Sequence, residues 1–419
     1  MNKHDHNTLA RQLNLLDATG IGVGAVVGAG IFVITGVAAA VTGPALILAL
    51  FLAAVAATCN GLASAQLAAE MPTSGGTYVY ASEKLHPHAG FAAGFMFLLS
   101  KLSAGSVVAL GFGHALHAFV PAVPPFLATS LLILVITVLN LFGIKKAGRI
   151  NIAIVTLTVG SLILFAGRGA ALVDGANYTP FFTHGLTGFL EGAALMFFAF
   201  TGYARITTLG EEVIEPRRTI PRAVILTLAI TSVLYLAVAL VAVGVAGSEA
   251  LSRAEAPLFA VAETIGDAWL ISLLSIASLT ALFGVLLSQV AGISRMTYAM
   301  AKGGDLPLFF ARVKNHVPHV GIVATGLVIW LFCLIGSIPF IAKTAAFSIL
   351  LYYSLANLSA LRQTGENRLV PRAVPVIGLV TCLVLAASLP LETILLGLAI
   401  LAVGYVLRGL YRRFVRRAH

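Results

Sequence analysis

The chain has 419 residues, of which 59% are hydrophobic and only 10% are charged. This composition excludes a soluble globular protein and is typical of polytopic membrane proteins. The formal net charge of +10 would also suit a nucleic-acid binder. Nearly continuous apolar segments argue against that class, so no nucleic-acid partner is predicted.

An α-helix needs roughly 20 apolar residues to cross a hydrocarbon core about 30 Å thick. The chain contains twelve apolar segments of this kind, so we predict an all-α polytopic membrane protein with twelve transmembrane helices. The segments lie near 15–41, 44–69, 89–116, 125–143, 150–172, 188–210, 222–246, 265–293, 320–337, 342–361, 374–389 and 391–411.

The basic residues are distributed unevenly among the predicted loops. If the N-terminus is cytoplasmic, most of the 26 lysines and arginines lie on the cytoplasmic side. This bias follows the positive-inside rule and predicts that both termini are cytoplasmic. Lys101 and Arg205 are exceptions, because they fall inside predicted spans.

A glycine-rich stretch, GVGAVVGAGIFVITG at 22–36, interrupts the first predicted span. Each glycine in a helix interior costs about 0.5–1 kcal/mol relative to alanine, so the stretch predicts a broken helix. Unwound backbone is tolerated inside a membrane only where protein or a water-filled cavity surrounds it. The stretch therefore predicts a binding site made of main-chain N–H and C=O groups.

A second predicted break lies in the sixth span, where FFAFTGYA at 197–204 places Gly202 in mid-span. Each break lies in the first helix of a five-helix block, and the two blocks have opposite orientations, as inverted repeats do. Close helix packing is the alternative explanation for the glycines. The predicted divisions are an N-terminal segment at 1–14, a first repeat at 15–173, a second repeat at 187–362, two further helices at 374–411 and a basic tail at 412–419.

Four segments, in order, resemble signatures of the amino acid–polyamine–organocation superfamily. They are GVGAVVGAGIFVITG at 22–36, EMPTSGGTYVY at 70–80, FFAFTGYARITTLGEEVIEPRRTIP at 197–221 and SRMTYAMAKGGDLP at 294–307. The resemblance covers essentially the whole chain and is nearest to bacterial relatives of the cationic amino acid transporters. It implies a leucine-transporter-like five-plus-five inverted repeat and amino acid transport by alternating access in the bacterial inner membrane. It specifies no substrate.

The resemblance also implies how an amino acid would be held. N–H groups at the start of a half-helix suit a carboxylate, and free carbonyls suit an ammonium. By resemblance, the carboxylate would bind the N–H groups of Ala29 and Gly30. Relatives often have a threonine at position 29, and its hydroxyl is missing here. The ammonium would bind the carbonyls of Val26, Phe198, Ala199 and Thr201.

Aromatic residues flank both breaks. Phe32, Phe200 and Tyr203 are candidates for gating the site or lining its pocket, and core packing is an equal alternative.

Lys101 lies midway along the third predicted span. A charge near the bilayer centre costs about 2.5–3.5 kcal/mol on insertion scales, which suggests a function. Cationic-substrate relatives tend to have a carboxylate one position earlier, where this chain has Ser100. A pocket-facing Lys101 would repel a cationic side chain and favour neutral L-amino acids. Amine, polyamine and acidic amino acid substrates stay open, as does a structural pairing of Lys101 with a buried carboxylate or with backbone carbonyls.

The coupling ion is not determined by the sequence. Proton-coupled relatives carry a lysine in the fifth span where alignment places Thr158. A sodium ion would need oxygen ligands, for which Ser278 and Thr280 are candidates. Lys101 is a candidate for proton exchange. Sodium coupling, proton coupling and exchange therefore stay open.

Other charges suggest gates rather than ligands. Arg205 would line the cytoplasmic route or pair with Glu211, and Glu191 would be interfacial at the start of the sixth span. An inner-gate cluster, or a solvated loop face, is formed by Glu211, Glu212, Glu215, Arg217, Arg218 and Arg222.

The sequence lacks signatures of the other classes considered. No P-loop for ATP, no H-E-x-x-H and no G-x-S-x-G is present, so neither an ATP-driven pump nor an enzyme is predicted. No resident cofactor or metal site is predicted either, apart from a coupling Na⁺ or H⁺. The expected partners are the lipid bilayer and a small amino acid, and the expected state is a monomer or weak homodimer.

Overall fold

The computed structural model describes residues 13–71, 75–143, 147–207, 212–314, 317–365 and 368–418, with side chains except at 147–151 and 414–418. All regular elements within these residues are helical, and extended pairing is confined to isolated bridges such as Leu13–Val213. The predicted all-α class is therefore confirmed.

The described residues form sixteen α-helices in chain order. Their bounds are α1 Leu15–Val26, α2 Thr35–Thr42, α3 Leu46–Glu70, α4 Thr77–Lys84, α5 Pro87–Phe119, α6 Pro125–Leu141, α7 Ala147–Gly169, α8 Gly185–Phe200, α9 Ala204–Thr207, α10 Pro216–Arg253, α11 Pro257–Ile265, α12 Ala268–Lys302, α13 His319–Ile335, α14 Ile338–Leu361, α15 Ala373–Ala387 and α16 Leu391–Ala418.

Eight helical runs among the described residues are long and apolar enough to cross a membrane. The first, Leu15–Glu70, is 56 residues long and contains the predicted break; α6, α13 and α15 are apolar but shorter. Large apolar side chains are exposed on the outer faces, for example Val233 and Val403. Such faces suit lipid, so the chain is a multi-pass membrane protein, while the number of crossings stays a prediction.

Local sequence explains where several helices begin. Asn14 caps α1, because its Oδ1 accepts from the N–H groups of Leu16 and Asp17 at 2.8 and 3.0 Å. The Asp17 carboxylate accepts from Asn14 N–H in return, which completes a capping box. Proline lies in the first turn of α5, α10 and α14, where its missing N–H removes no helical hydrogen bond.

The core surrounds the two segments in which breaks were predicted. Helix α3 packs against α8 and α10, and α5 packs against α12 and α14. Phe197 and Phe200 at the end of α8 are fully buried. This packing places both predicted breaks in the middle of the protein.

Candidate functional site

The first helix breaks where the glycines predict it. Helix α1 ends at Val26, and Val27 has an extended backbone with φ −74° and ψ 104°. The chain then forms a π-helical segment, Gly30–Ile34, before α2 begins. Gly28 O accepts from the N–H groups of Ile31 and Phe32 at 3.2 Å each, which starts the second half of the broken helix.

The second break is milder than the sequence predicts. Helix α8 ends at Phe200, Thr201–Tyr203 form one 3₁₀ turn, and α9 continues. Both the N–H and the hydroxyl of Thr201 donate to Phe198 O, the hydroxyl at 2.9 Å. This double contact holds the turn together, so the backbone tightens here without becoming extended.

The two breaks are in direct contact. A Cβ at Gly30 would overlap Ala199 Cβ and lie 2.5 Å from Ala199 Cα. A Cβ at Gly202 would overlap Ala25 O and lie 2.5 Å from Val26 N. Glycine is therefore required for this close approach of the two main chains. In the observed conformation these two glycines allow close packing of the helices, as the alternative explanation for the glycines proposed.

Two of the carbonyls predicted to face an ammonium already accept hydrogen bonds. Val26 O accepts from the Tyr235 hydroxyl at 2.9 Å, and Phe198 O accepts from Thr201. Tyr235 lies on α10, is fully buried and packs its ring 5.4 Å from that of Phe200. Sequence reasoning missed Tyr235, and the only signal was a lone tyrosine within an apolar span.

Lys101 lies beside the second break. Its Nζ is 3.5 Å from Thr201 Oγ1 and 5.9 Å from the centre of the Phe97 ring. Its main-chain oxygen accepts from Gln289 Nε2 on α12 at 2.6 Å. Among the described residues, no carboxylate oxygen lies within 4.0 Å of Lys101 Nζ, so these residues do not support a structural pairing of Lys101 with a buried carboxylate.

The other pocket candidates are packed into the core. Ser100 donates to Ala345 O on α14 at 3.1 Å, which ties two helices together. Phe200 and Tyr203 are fully buried, and the Tyr203 ring lies 5.6 Å from that of Tyr353. In this conformation these aromatics fill space between helices instead of lining an open pocket.

Each hydroxyl among the coupling candidates is bonded within its own helix. Thr158, Ser278 and Thr280 each donate to a carbonyl of their own helix, at 2.7, 2.9 and 2.8 Å. Positions 278 and 280 are two residues apart, which turns them to nearly opposite faces of α12. Ser278 instead lines a small cavity together with Phe32 and Glu255.

Glu191 forms an ion pair that the sequence did not predict. It pairs with Lys343 of α14 at 2.8 Å, and the two side chains are 16% and 22% exposed. The pair joins α8, which contains the second break, to a neighbouring helix. Sequence reasoning did not connect these residues, because they lie far apart in the chain.

The predicted inner-gate cluster is only partly within the described residues, since Glu211 lies outside them. Glu215 and Arg218 form an exposed pair at 3.7 Å, which favours the solvated-face alternative. A main-chain contact lies next to them. Leu13 N–H donates to Glu212 O at 3.0 Å, and Ile214 N–H donates to Leu13 O at 2.9 Å.

Comparisons with known proteins agree with this architecture. The amino acid permease family model matches residues 17–409. An uncharacterized transporter of Mycobacterium tuberculosis is 39% identical over 98% of this chain and 93% of its own. A branched-chain amino acid permease of Bacillus subtilis is 28% identical over 97% of this chain and 94% of its own. The Eremococcus coleocola manganese transporter shares the fold alone, with a TM-score of 0.65 at 14% identity over 100% of this chain and 99% of that one.

Proposed function

The chain belongs to the amino acid permease family, and on this premise we propose that it moves neutral L-amino acids across the bacterial inner membrane by alternating access. The proposal includes twelve crossings, two inverted five-helix repeats and cytoplasmic termini. The basic loops support this topology. The two central breaks support a substrate site at the middle of the membrane.

Lys101 is the observation that supports a neutral substrate. Its Nζ lies 3.5 Å from Thr201 Oγ1, and no described carboxylate lies within 4.0 Å to balance its charge. Two unit positive charges about 5 Å apart repel by ~3 kcal/mol at an effective dielectric constant of 20. A substrate with a cationic side chain would therefore bind more weakly by roughly a hundredfold.

Binding requires the two breaks to separate. Gly30 now packs against Ala199, and the Val26 carbonyl is bonded to Tyr235. An entering amino acid would displace the Tyr235 hydroxyl from Val26 O with its ammonium. Its carboxylate would take the N–H groups at the start of the second half-helix, at Ala29 and Gly30. In this conformation the two breaks are closed against each other.

Lys101 is also the proposed coupling group. An amine held beside the substrate position can gain or lose a proton as the substrate arrives and leaves. The hydroxyls of Ser278 and Thr280 face different sides of α12, so together they make a poor sodium site. Proton coupling through Lys101 is therefore preferred here over sodium coupling.

An acidic amino acid is the second candidate, because Lys101 would also attract a side-chain carboxylate. Uptake into proteoliposomes separates the two. Labelled leucine, glutamate, arginine and putrescine are supplied with an imposed proton or sodium gradient in turn. We expect leucine to enter fastest, arginine about a hundredfold more slowly, and the proton gradient to stimulate uptake.

Lys101→Met tests the assigned residue. We expect this variant to lose both the discrimination against arginine and the stimulation by a proton gradient. Lys302→Met is the matched control, because Lys302 lies at the end of α12 with its Nζ 4.9 Å from the Tyr298 ring. Glutamate as the fastest substrate would select the second candidate. Arginine as the fastest substrate, or an unchanged Lys101→Met profile, would refute the charge argument.

A further inference from the structure

A buried charged cluster lies at the end of α12, away from the two breaks. The side chain of Asp305 is only 3% exposed. Its carboxylate accepts from Arg408 Nε at 2.6 Å, from Arg412 Nη2 at 2.8 Å and from the Tyr78 hydroxyl at 2.9 Å. Three donors from two other helices, α4 and α16, therefore converge on one carboxylate.

Arg408 is as buried as its partner and makes further contacts with the start of α5. Its side chain is 3% exposed. Nη2 donates to Pro87 O at 3.3 Å, Nη1 lies 3.1 Å from His88 Nδ1, and the guanidinium lies 4.6 Å from the Phe91 ring centre. The cluster thus joins α4, α5, α16 and the end of α12.

The surrounding backbone is shaped to admit Tyr78. A Cβ at Gly303 would overlap the Tyr78 hydroxyl, and a Cβ at Gly94 would lie 2.8 Å from Tyr78 Cδ2. Gly304 has φ +72°, which turns the chain so that Asp305 N–H donates to Met300 O at 2.9 Å. Burial, and then the Asp305 carboxylate, raise the pKa of the Tyr78 hydroxyl, which keeps it a donor. The GGDLP segment at 303–307 therefore forms a binding site for the side chain of Tyr78.

The other end of α4 is attached to α3. Lys84 pairs with Glu70, the last residue of α3, at 2.6 Å. Gln363 donates to the same carboxylate at 2.5 Å. Gly75 and Gly76, between the two helices, both have positive φ. Helix α4 is thus fixed at its start by Asp305 and connected at its end to α3, which packs directly against α8 and the second break.

Stability alone is a weak reason for this arrangement. A buried ion pair often contributes less than well-packed apolar residues of similar volume would, so a role in holding one geometry is the better explanation. We propose that Tyr78, Asp305 and Arg408 are positioning residues of the transport cycle, which hold α4 stationary so that α3 pivots against it when the breaks separate. This inference rests on the proposed transport function and adds to it a role for residues that do not touch substrate.

The test compares Tyr78→Phe, Asp305→Asn and the double variant with wild type. Because loss of a hydrogen bond to a buried charge has a large effect, we expect Asp305→Asn to lower the maximal uptake rate about tenfold or more while KM changes less than ~2-fold. The double variant should equal Asp305→Asn, because both changes act on the same contact between Tyr78 and the Asp305 carboxylate. Tyr298→Phe, on α12 but outside the cluster, is the control and should behave as wild type.

Hydrogen exchange provides a readout that needs no substrate. In lipid nanodiscs, we expect Asp305→Asn to speed exchange of the 77–84 amides about tenfold or more, with exchange across 185–200 unchanged. Equal losses in rate and affinity, additive single effects or unchanged exchange at 77–84 would each overturn the proposal. If wild type transports no amino acid, the proposed function fails, while the exchange result still decides whether Asp305 holds α4.

Discussion

Gly202→Ala tests the contact between the two broken helices most directly. The added methyl would overlap Ala25 O and lie 2.5 Å from Val26 N, so it meets main chain on both sides. A flexible side chain could move aside, whereas a packed backbone moves only if the two breaks separate. Overpacking of this kind costs about 1–3 kcal/mol. Replacing a glycine near a helix returns up to about 1 kcal/mol, so we expect a net loss of ~1–2 kcal/mol.

Such a loss changes the folded-to-unfolded ratio by about 5–30-fold. Thermal unfolding in detergent, followed by tryptophan fluorescence, should therefore show a lower midpoint for Gly202→Ala than for wild type. Gly20→Ala is the matched control, because Gly20 lies in α1, the helix that Gly202 contacts, and a Cβ there meets nothing within 4 Å. Its midpoint should equal or exceed that of wild type. If Gly202→Ala unfolds with the Gly20→Ala midpoint, the direct contact between the breaks is not what requires glycine.

Two further substitutions probe contacts around the breaks. Tyr235→Phe removes the 2.9 Å hydrogen bond to Val26 O, which should cost about 1 kcal/mol of stability. The same change should lower the KM for substrate, because the Val26 carbonyl no longer has to be freed before it binds the ammonium. A raised KM in uptake assays would contradict this. Glu191→Lys and Lys343→Glu should each lower the unfolding midpoint, and the double exchange should recover most of the loss if the 2.8 Å pair acts through charge.

The first break and the position of Lys101 were predictable because each depends on the free energy of single residues in their local sequence. Glycines at 22–36 weaken a helix whatever surrounds it, and a lysine within an apolar span is conspicuous because its burial is costly. The second break was located correctly, but its form was not. A single hydroxyl, that of Thr201, closes the turn onto Phe198 O, and sequence cannot say whether that hydroxyl bonds locally or to a ligand.

The missed contacts all join residues far apart in the chain. Tyr235 and Val26 are 209 residues apart, and Tyr78 and Asp305 are 227 apart. Which face of each helix turns toward a neighbour depends on packing among several helices at once, and hydrophobic periodicity is weak when lipid surrounds the protein. The pairing of Glu191 with Lys343 was missed for the same reason, because nothing in the local sequence of either residue indicates it.

The hydrogen bonds of Leu13 with Glu212 and Ile214 join main-chain atoms. They are therefore indifferent to the identity of the side chains, and relatives can diverge at all three positions while keeping the same junction. The junction would therefore leave no signal of covariation between these three positions. The junction is instead sensitive to loss of an N–H group, so proline at position 13 or 214 removes one of its two bonds, whereas alanine leaves both donors in place.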